Sequence, residues 1–252
     1  MKAYTDFLRD KVVMAESFGF EIQPHEVNPK LKPHQIAIVM WAVAGGRRAI
    51  FCAFGLGKTV IQLEVVRITR AKTGGMGLIA IPLGVRQEFM NDAAMLGIKV
   101  KFIRSIEECD DPDGIYLTNY ETIRDGKLDP RHFRVASLDE AACLRGFGGT
   151  KTFREFMALF AGDDRRSMHE RLRGTGVEYR FVATATPSPN EYVELLAYSA
   201  FLGIMDVGQA KTRFFKRNSE KADQLTIHPH KEREFWMWMS SWALFVQKPS
   251  DL

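Results

Sequence analysis

Residues 51–59 read FCAFGLGKT, and this stretch decides the fold. A short apolar run, Ala49–Cys52, leads into the glycine-rich segment Gly55–Thr59, and a helical pattern begins behind it. A strand, a glycine-rich turn and a helix start form the context that a phosphate-binding loop requires. The amides of the turn and the positive end of the helix dipole point to one place, beside a lysine and a hydroxyl group. The stretch therefore predicts a site for a nucleoside triphosphate and its magnesium ion.

The pattern departs from the full Walker motif at one position. Cys52 stands where that motif has a glycine, five residues before Gly57. A purely structural turn is the alternative interpretation, since the chain has 20 glycines and a short match can arise by chance. The apolar strand before the loop and the periodic pattern of residues 60–66 behind it favour phosphate binding.

Composition sets limits on the class of protein. With 252 residues, 46% of them hydrophobic and 26% charged, the chain is long enough for one large domain or one domain with appendages. No apolar run approaches the roughly 18 to 20 residues that span a bilayer. The first 13 residues, MKAYTDFLRDKVV, carry charges where a signal peptide needs an apolar segment. We therefore expect a cytoplasmic protein with no membrane partner.

Neither cysteines nor histidines form a metal-binding pattern. Cys52, Cys109 and Cys143 are far apart in the sequence, as is usual in a reducing compartment. His228 and His230 lack a second pair of ligands, so a polar loop is the better interpretation. The net charge of +4 is compatible with a polyanionic partner but does not require one.

Apolar runs of strand length alternate with helical patterns along the chain. This alternation predicts an α/β fold with a mainly parallel central sheet between two helical layers. The predicted strands are 49–53, 77–81, 100–103, 115–118, 134–138 and 180–184. The predicted helices are 35–44, 59–70, 85–95, 153–160 and 191–201.

Three regions follow from this pattern. Residues 1–30 form an N-terminal accessory segment, residues 31–205 form the main lobe, and residues 206–252 form a C-terminal helical extension. Within the lobe, residues 146–176 depart from the alternation and predict a helical excursion. In the extension, aromatic residues from Phe235 to Phe245 share one face of a predicted helix over 232–246. Packing against the lobe or an absent neighbour is the favoured role of this face, and a stacking platform for nucleic acid is the alternative.

Two adjacent carboxylates follow the strand that ends at Leu138. The phosphate-binding loop and the acids Asp139 and Glu140 would meet at one edge, because the carboxyl ends of parallel strands share an edge of the sheet. An aspartate there can hold the hydrated magnesium ion, and a glutamate one residue on can act as general base toward the attacking water. Lys58, Asp139 and Glu140 are therefore the predicted catalytic residues, and Thr59 and Asp139 the predicted metal-binding residues.

A third polar group follows the next strand. Residues 184–187 read Thr-Ala-Thr-Pro, and small hydroxyl groups at the end of a strand can hydrogen-bond the acid pair and sense the γ-phosphate. The alternative is that this segment only ends a strand and caps the following helix. Its place after the first two signals favours the coupling role for Thr184 and Thr186.

With these three signals in order, the chain resembles the first RecA-like lobe of a superfamily 2 DNA helicase or translocase. The resemblance is to the Swi/Snf-type branch and related phage helicases of the DEAD-like kind. Residues 31–35 (LKPHQ) match an upstream motif whose glutamine contacts adenine, and residues 55–59 match motif I, which in this branch also commonly lacks the first Walker glycine. Residues 139–142 (DEAA) match motif II, and residues 184–187 match motif III.

The resemblance extends to two motifs that lie along a DNA strand. Residues 81–89 (IPLGVRQEF) resemble motif Ia, and residues 117–122 (LTNYET) resemble motif Ib. The resemblance implies ATP and Mg²⁺ as ligands, DNA contacts that are mostly to phosphates and not sequence-specific, and a bacterial or phage-infected cell as the setting. The implied nucleotide-binding residues are Gln35, Gly55, Leu56, Gly57, Lys58 and Thr59. The implied nucleic-acid contacts are Pro82, Arg86, Asn119 and Thr122.

Helicases of this type hydrolyse ATP between two RecA-like lobes, and the second lobe supplies arginine fingers. Residues after Phe201 are too few for a second such sheet. We therefore expect a second RecA-like lobe, in the same or another chain, and slow hydrolysis by this chain alone. Two alternatives stay open: a packaging motor or other P-loop ATPase with a single core, and a nucleotide-gated binding module without efficient hydrolysis.

Overall fold

The computed structural model describes residues 14–141, 156–160, 176–187, 192–217 and 225–252. The predicted excursion over 146–176 lies mostly outside the described residues. Within these residues, the structure describes a helical turn at 156–160, in which Phe156 and Phe160 are buried, and then residue 176. No helix among the described residues is long and apolar enough to cross a bilayer.

Seven parallel strands form the central sheet, in the order β3-β4-β2-β5-β6-β1-β9. Their buried, nearly continuous apolar sequences are typical of strands covered on both faces. The α/β fold with a mainly parallel sheet is thus confirmed. The strands are β1 Arg47–Cys52, β2 Gly77–Ile81, β3 Val100–Phe102, β4 Ile115–Asn119, β5 Val135–Leu138, β6 Tyr179–Thr184 and β9 Ala243–Val246. A separate antiparallel pair is formed by β7 Phe215–Arg217 and β8 Leu225–Ile227.

Helices cover both faces of the sheet and give the molecule three layers. One face packs against the first three helices through residues such as Ile50, Ile79 and Phe181. The other packs against the last three through Phe51 and Leu138. The helices are α1 Pro33–Gly45, α2 Lys58–Thr73, α3 Arg86–Leu96, α4 Tyr120–Arg124, α5 Leu195–Leu202, α6 Val207–Phe214 and α7 Glu232–Ser240.

The C-terminal region differs from its prediction. The predicted helix over 232–246 ends at Ser240, and Ala243–Val246 forms β9, which pairs with β1 at the edge of the main sheet. Phe245 therefore lies beside Phe51, with ring centroids 4.9 Å apart, instead of on a helical face. A four-residue apolar run fits either period, and only the distant partner β1 determines that it is a strand. The region 206–252 is thus not wholly helical, and it completes the lobe's sheet.

The described part of the N-terminal segment packs on the lobe. The Phe18 and Phe20 amides donate to the carbonyls of Gly45 and Val43 at 2.9 and 3.3 Å, and Ile22 and Val27 are buried in the core. The segment before Pro33 therefore forms part of the layer that holds α1 in place.

Three buried arginines close the amino edge of the sheet, opposite the predicted site. The Arg180 guanidinium donates to the Phe201 carbonyl at 2.6 Å, and Arg47 Nε donates to the Glu178 carbonyl at 2.9 Å. Arg48 Nη2 donates to the Ser17 hydroxyl at 3.1 Å. Burial lowers the pKa of Arg47 and of Arg48 to about 10. This edge is filled by side chains, whereas the carboxyl edge bears loops and polar groups.

Candidate active site

The carboxyl edge brings the three predicted signals together. β1 leads into the predicted phosphate loop, residues 53–59, β5 ends at Leu138 directly before Asp139, and β6 ends at Thr184. Since β6 lies between β5 and β1, the acids and the loop face each other across a single strand. Parallel strands with ligand sites at their carboxyl ends explain this convergence.

The phosphate loop depends on two glycines in the left-handed region. Gly55 has φ +82° and Gly57 has φ +81°, conformations that cost a side-chain-bearing residue conformational energy. α2 begins directly afterwards at Lys58, and no side chain of the described residues caps its first turn. The amides of this turn and the helix dipole are therefore directed at the space above the loop, as anion binding requires.

Lys58 has no carboxylate partner among the described residues. Its Nζ lies 3.4 Å from the Cys52 carbonyl oxygen and 4.9 Å from the centroid of the Phe54 ring. Phe54 is 78% exposed, so the cation–π contact holds the ammonium group at the protein surface. The lysine is thus positioned at the phosphate loop with most of its hydrogen-bonding capacity unused.

Gln35 is fixed against the phosphate loop. Its Nε2 donates to the Leu56 carbonyl at 3.1 Å, and its Oε1 accepts from the Lys32 amide at 2.8 Å. His34 Nε2 lies 3.4 Å from the same Leu56 oxygen. A Cβ on Gly57 would come within 2.3 Å of Gln35 Nε2, so any other residue there would displace the Gln35 amide group from its contact with the loop. Adenine recognition by Gln35 stays a prediction, and the contact ties any such recognition to the loop.

Asp139 is buried at the end of β5 and held by a hydrogen-bonded chain. Gln62 Nε2 donates to Asp139 Oδ1 at 2.7 Å, and the Ser137 hydroxyl donates to Gln62 Oε1 at 2.8 Å. Burial raises the pKa of Asp139 to about 6; the charge of Glu140 adds to the rise, while Gln62 and Lys58 oppose it. A bound cation would favour the carboxylate form of this group.

Sequence reasoning missed Gln62 and Ser137. The signal for Gln62 was available, because it lies four residues after Lys58 on α2 and so shares a helical face with it. Ser137 lies on β5 two residues before Asp139, which continues the ladder with β2, so their side chains share a face. Both residues orient the acid instead of bearing charge themselves.

Glu140 adopts a strained backbone conformation. It is the one non-glycine residue with positive φ, +47°, in the part of the chain that the structure describes. Its Oε1 accepts from the Thr184 hydroxyl at 2.9 Å, and the Thr186 hydroxyl lies 3.5 Å away. The Thr186 amide in turn donates to Thr184 Oγ1 at 3.1 Å. The two threonines predicted to couple to the acid pair thus contact it directly.

Thr59 and Asp139 supply the donor atoms that magnesium prefers. Both are oxygen donors, a hydroxyl and a carboxylate, and no lysine or arginine of the described residues forms an ion pair with Asp139. Across the described ranges no cluster of three His, Cys, Asp or Glu residues forms a dedicated metal cage. This donor set fits Mg²⁺, which is usually bound by one or two protein oxygens together with substrate phosphates and water.

The predicted nucleic-acid contacts lie at the same edge but differ in accessibility. The Asn119 side chain accepts from the Thr122 amide at 2.9 Å and also from the Thr122 hydroxyl, and both residues are buried. Asn119 Oδ1 and the Thr122 hydroxyl are therefore engaged at the start of α4. Pro82 follows β2 and is half-buried, whereas Arg86 is exposed at the start of α3 with its guanidinium 4.3 Å from the Phe102 ring centroid.

Comparison with solved structures supports this architecture. The SWI2/SNF2 ATPase core of Sulfolobus solfataricus, solved in complex with dsDNA, matches with a TM-score of 0.63 at 16% identity, over 90% of this chain and 46% of that chain. This chain therefore has a RecA-like α/β fold. It spans about half the length of that ATPase core.

Two further structures match over smaller shares of this chain. The UvsW helicase from bacteriophage T4 has 14% identity and a TM-score of 0.48, over 79% of this chain and 64% of that one. The Hef helicase domain of Pyrococcus furiosus has 14% identity and a TM-score of 0.48, over 75% of this chain and 41% of that one. No protein-family model and no curated protein matches the sequence.

Proposed function

We propose that this chain is the ATP-binding lobe of an ATP-dependent DNA helicase or translocase. The observation that carries the proposal is the convergence of the open α2 N-terminus, the acid pair and the two threonines at one edge of the sheet. The similar fold of a SWI2/SNF2 ATPase core bound to dsDNA supports the nucleic-acid part of the proposal.

Each residue has a role in this proposal that its surroundings permit. Lys58 and the amides of residues 55–59 bind the β- and γ-phosphates, and Gln35 contacts the adenine. Glu140 accepts a proton from water as the water oxygen attacks the γ-phosphorus, while the bond from that phosphorus to the bridging oxygen of ADP breaks. Thr59 and Asp139 would hold a magnesium ion, which would supply positive charge to neutralise the phosphate groups.

A second RecA-like lobe, in the same or another chain, completes the proposed enzyme. Arginine fingers in related nucleotide hydrolases contribute on the order of 10³ to 10⁵ in rate, so the isolated chain should bind ATP and hydrolyse it slowly. Pro82 and Arg86, with the exposed surface around the α4 turn, are the proposed contacts to DNA phosphates.

Substitution of the general base tests the proposal. Glu140→Gln keeps the size of the side chain and should lower the rate constant for ATP hydrolysis by about 10²- to 10⁴-fold, with Mg–ATP binding retained. The measurement is single-turnover hydrolysis with the chain in excess of ATP, next to equilibrium binding of a fluorescent ATP analogue. Equal hydrolysis by the wild type and this variant would contradict the assignment of Glu140.

The same variants separate the alternatives. If Lys58→Ala abolishes the biological activity while Glu140→Gln leaves it intact, the chain is a nucleotide-gated binding module. If isolated chains hydrolyse ATP rapidly as oligomers without DNA, a P-loop motor with a single core is the better description.

A further inference from the structure

The hydroxyl group of a half-buried tyrosine contacts the backbone of the acid pair. Tyr120 Oη donates to the carbonyl oxygen of Asp139 at 2.5 Å. Tyr120 follows β4 and Asp139 follows β5, and β2 lies between these strands in the sheet. The hydrogen bond therefore reaches across the end of the intervening strand.

This contact holds the peptide group that joins the two acids. The Asp139 amide donates to the Ala80 carbonyl at 2.8 Å, so it continues the ladder with β2. The next carbonyl, that of Asp139, accepts from Tyr120 and cannot rotate without losing this bond. Directly beyond it stands Glu140, with φ +47°.

The left-handed conformation of Glu140 needs a reason outside the residue itself. Residues with a side chain leave this region when the surroundings allow it, so strain at such a position persists only where neighbouring contacts fix the backbone. Tyr120 fixes the backbone on one side, and Thr184 holds the carboxylate on the other at 2.9 Å. The two contacts together set where the carboxylate points.

Tyr120 is itself firmly placed. It is the first residue of α4, directly after the capping residue Asn119, and it is half-buried. The centroid of its ring lies 6.2 Å from the centroid of the Phe156 ring. The helix cap fixes the backbone of Tyr120, and Phe156 contacts its ring. The hydroxyl group therefore has a defined position.

We infer that Tyr120 is a positioning residue for Glu140: its hydroxyl holds the Asp139–Glu140 peptide so that the Glu140 carboxylate faces the attacking water. The inference rests on the proposed function, in which Glu140 is the general base. It assigns to the segment after β4 a part in hydrolysis, in addition to its predicted place near nucleic acid.

Tyr120→Phe tests the inference, because it removes only the hydroxyl. We expect the single-turnover rate constant for ATP hydrolysis to fall about 10-fold or more, since small misplacement of a catalytic group has effects of this order. The dissociation constant for Mg–ATP should not change, because the phosphate loop and Asp139 carboxylate keep their contacts. A purely structural role would not separate the rate constant from binding in this way.

Tyr116→Phe is the matched control. The Tyr116 hydroxyl also donates to a backbone carbonyl, that of Asp111 at 2.8 Å, but near the opposite end of β4. Tyr116→Phe loses this bond and also the acceptor of the Asp111 amide, at 2.8 Å, so its thermal stability should fall at least as far as that of Tyr120→Phe. Only Tyr120→Phe should slow hydrolysis. An equal fall in rate in both variants would overturn the inference.

A double variant shows whether Tyr120 acts through Glu140. In the Glu140→Gln background, Tyr120→Phe should cause no further loss of rate, since the group that it positions is already inactive. A full additional loss would overturn the inference. If the wild type hydrolyses ATP and Tyr120→Phe hydrolyses it at the same rate, the inference is overturned and the proposed function stands. If the wild type does not hydrolyse ATP at all, the proposed function and the inference are overturned together.

Discussion

The helices α2 and α4 both follow parallel strands and begin at the carboxyl edge of the sheet, yet the amides of their first turns differ in whether a side chain caps them. α2 starts after Gly57, and no described side chain satisfies its first amides. α4 starts after Asn119, whose buried side chain accepts from the Thr122 amide at 2.9 Å. The first turn of α2 is open and that of α4 is closed.

This difference shows which helix start is available to a ligand. A capping side chain typically stabilises a helix by about 0.5 to 2 kcal/mol, and α2 lacks this contribution. Its amides and dipole can instead be satisfied by an anion, which stabilises the folded protein only when bound. In α4 the protein supplies its own acceptor, the Asn119 side chain, so the start of this helix has a structural role.

The largest expected effect concerns the open helix start. Lys58→Ala should weaken ATP binding by about 10- to 100-fold, because a hydrogen bond to a charged group contributes about 1.5 to 3 kcal/mol. Stability should change by less than about 0.5 kcal/mol, since the side chain is half-exposed and has no ion pair among the described residues. Titration calorimetry with Mg–ATP measures the first effect and urea denaturation the second. Unchanged affinity would show that α2 is not the phosphate site.

The two glycines of the loop provide a matched pair. Gly57→Ala should lower the free energy of unfolding by about 2 kcal/mol, because its φ of +81° is strained for alanine and the new Cβ, 2.3 Å from Gln35 Nε2, breaks the hydrogen bond to Leu56. Gly55→Ala has the same conformational cost but no atom within 4 Å of its Cβ. Gly55→Ala should therefore lower the free energy of unfolding by about 1 kcal/mol less than Gly57→Ala does. Equal losses in urea denaturation would contradict the role of the Gln35 contact.

The smallest effects concern the closed helix starts. Asn119→Ala should lower the free energy of unfolding by about 1 to 1.5 kcal/mol and leave ATP affinity unchanged, because it removes a buried cap. Asp206 caps α6 at an exposed position, accepting from the Gly208 amide at 2.8 Å, and Asp206→Ala should cost about 0.5 to 1 kcal/mol. Urea denaturation of both variants measures these free energies of unfolding. An Asn119→Ala variant that binds ATP much more weakly would show that the two helix starts are coupled.

The sequence predicts the six strands from 49 to 184 closely because each is a local apolar run with turn signals at its ends. The open helix start was predictable for the same reason, since glycines, lysine and threonine are adjacent in the chain. β9 was not, because Ala243–Val246 becomes a strand only by pairing with β1, almost 200 residues away.

The contacts around the acid pair show a similar division. The acids themselves follow a recognisable strand, and the sequence also predicts the contact from Thr184. The other two residues that orient them were not predicted, because they come from distant elements: Gln62 from α2 and Tyr120 from the start of α4. The side-chain role of Asn119 was also beyond the sequence. A motif resemblance indicates where a segment lies, and only packing determines whether its polar atoms point outward or cap a helix.

The late strand β9 has a consequence for any shortened version of this protein. β9 lies at the outer edge of the sheet and shields β1, the strand that bears the phosphate loop. Removal of residues after 242 would leave β1 with a row of unpaired backbone groups on its outer side, a template for pairing with other chains and for aggregation. A fragment designed to isolate this lobe should therefore extend at least to Val246, because the Val246 carbonyl accepts from the Ala53 amide at 2.9 Å.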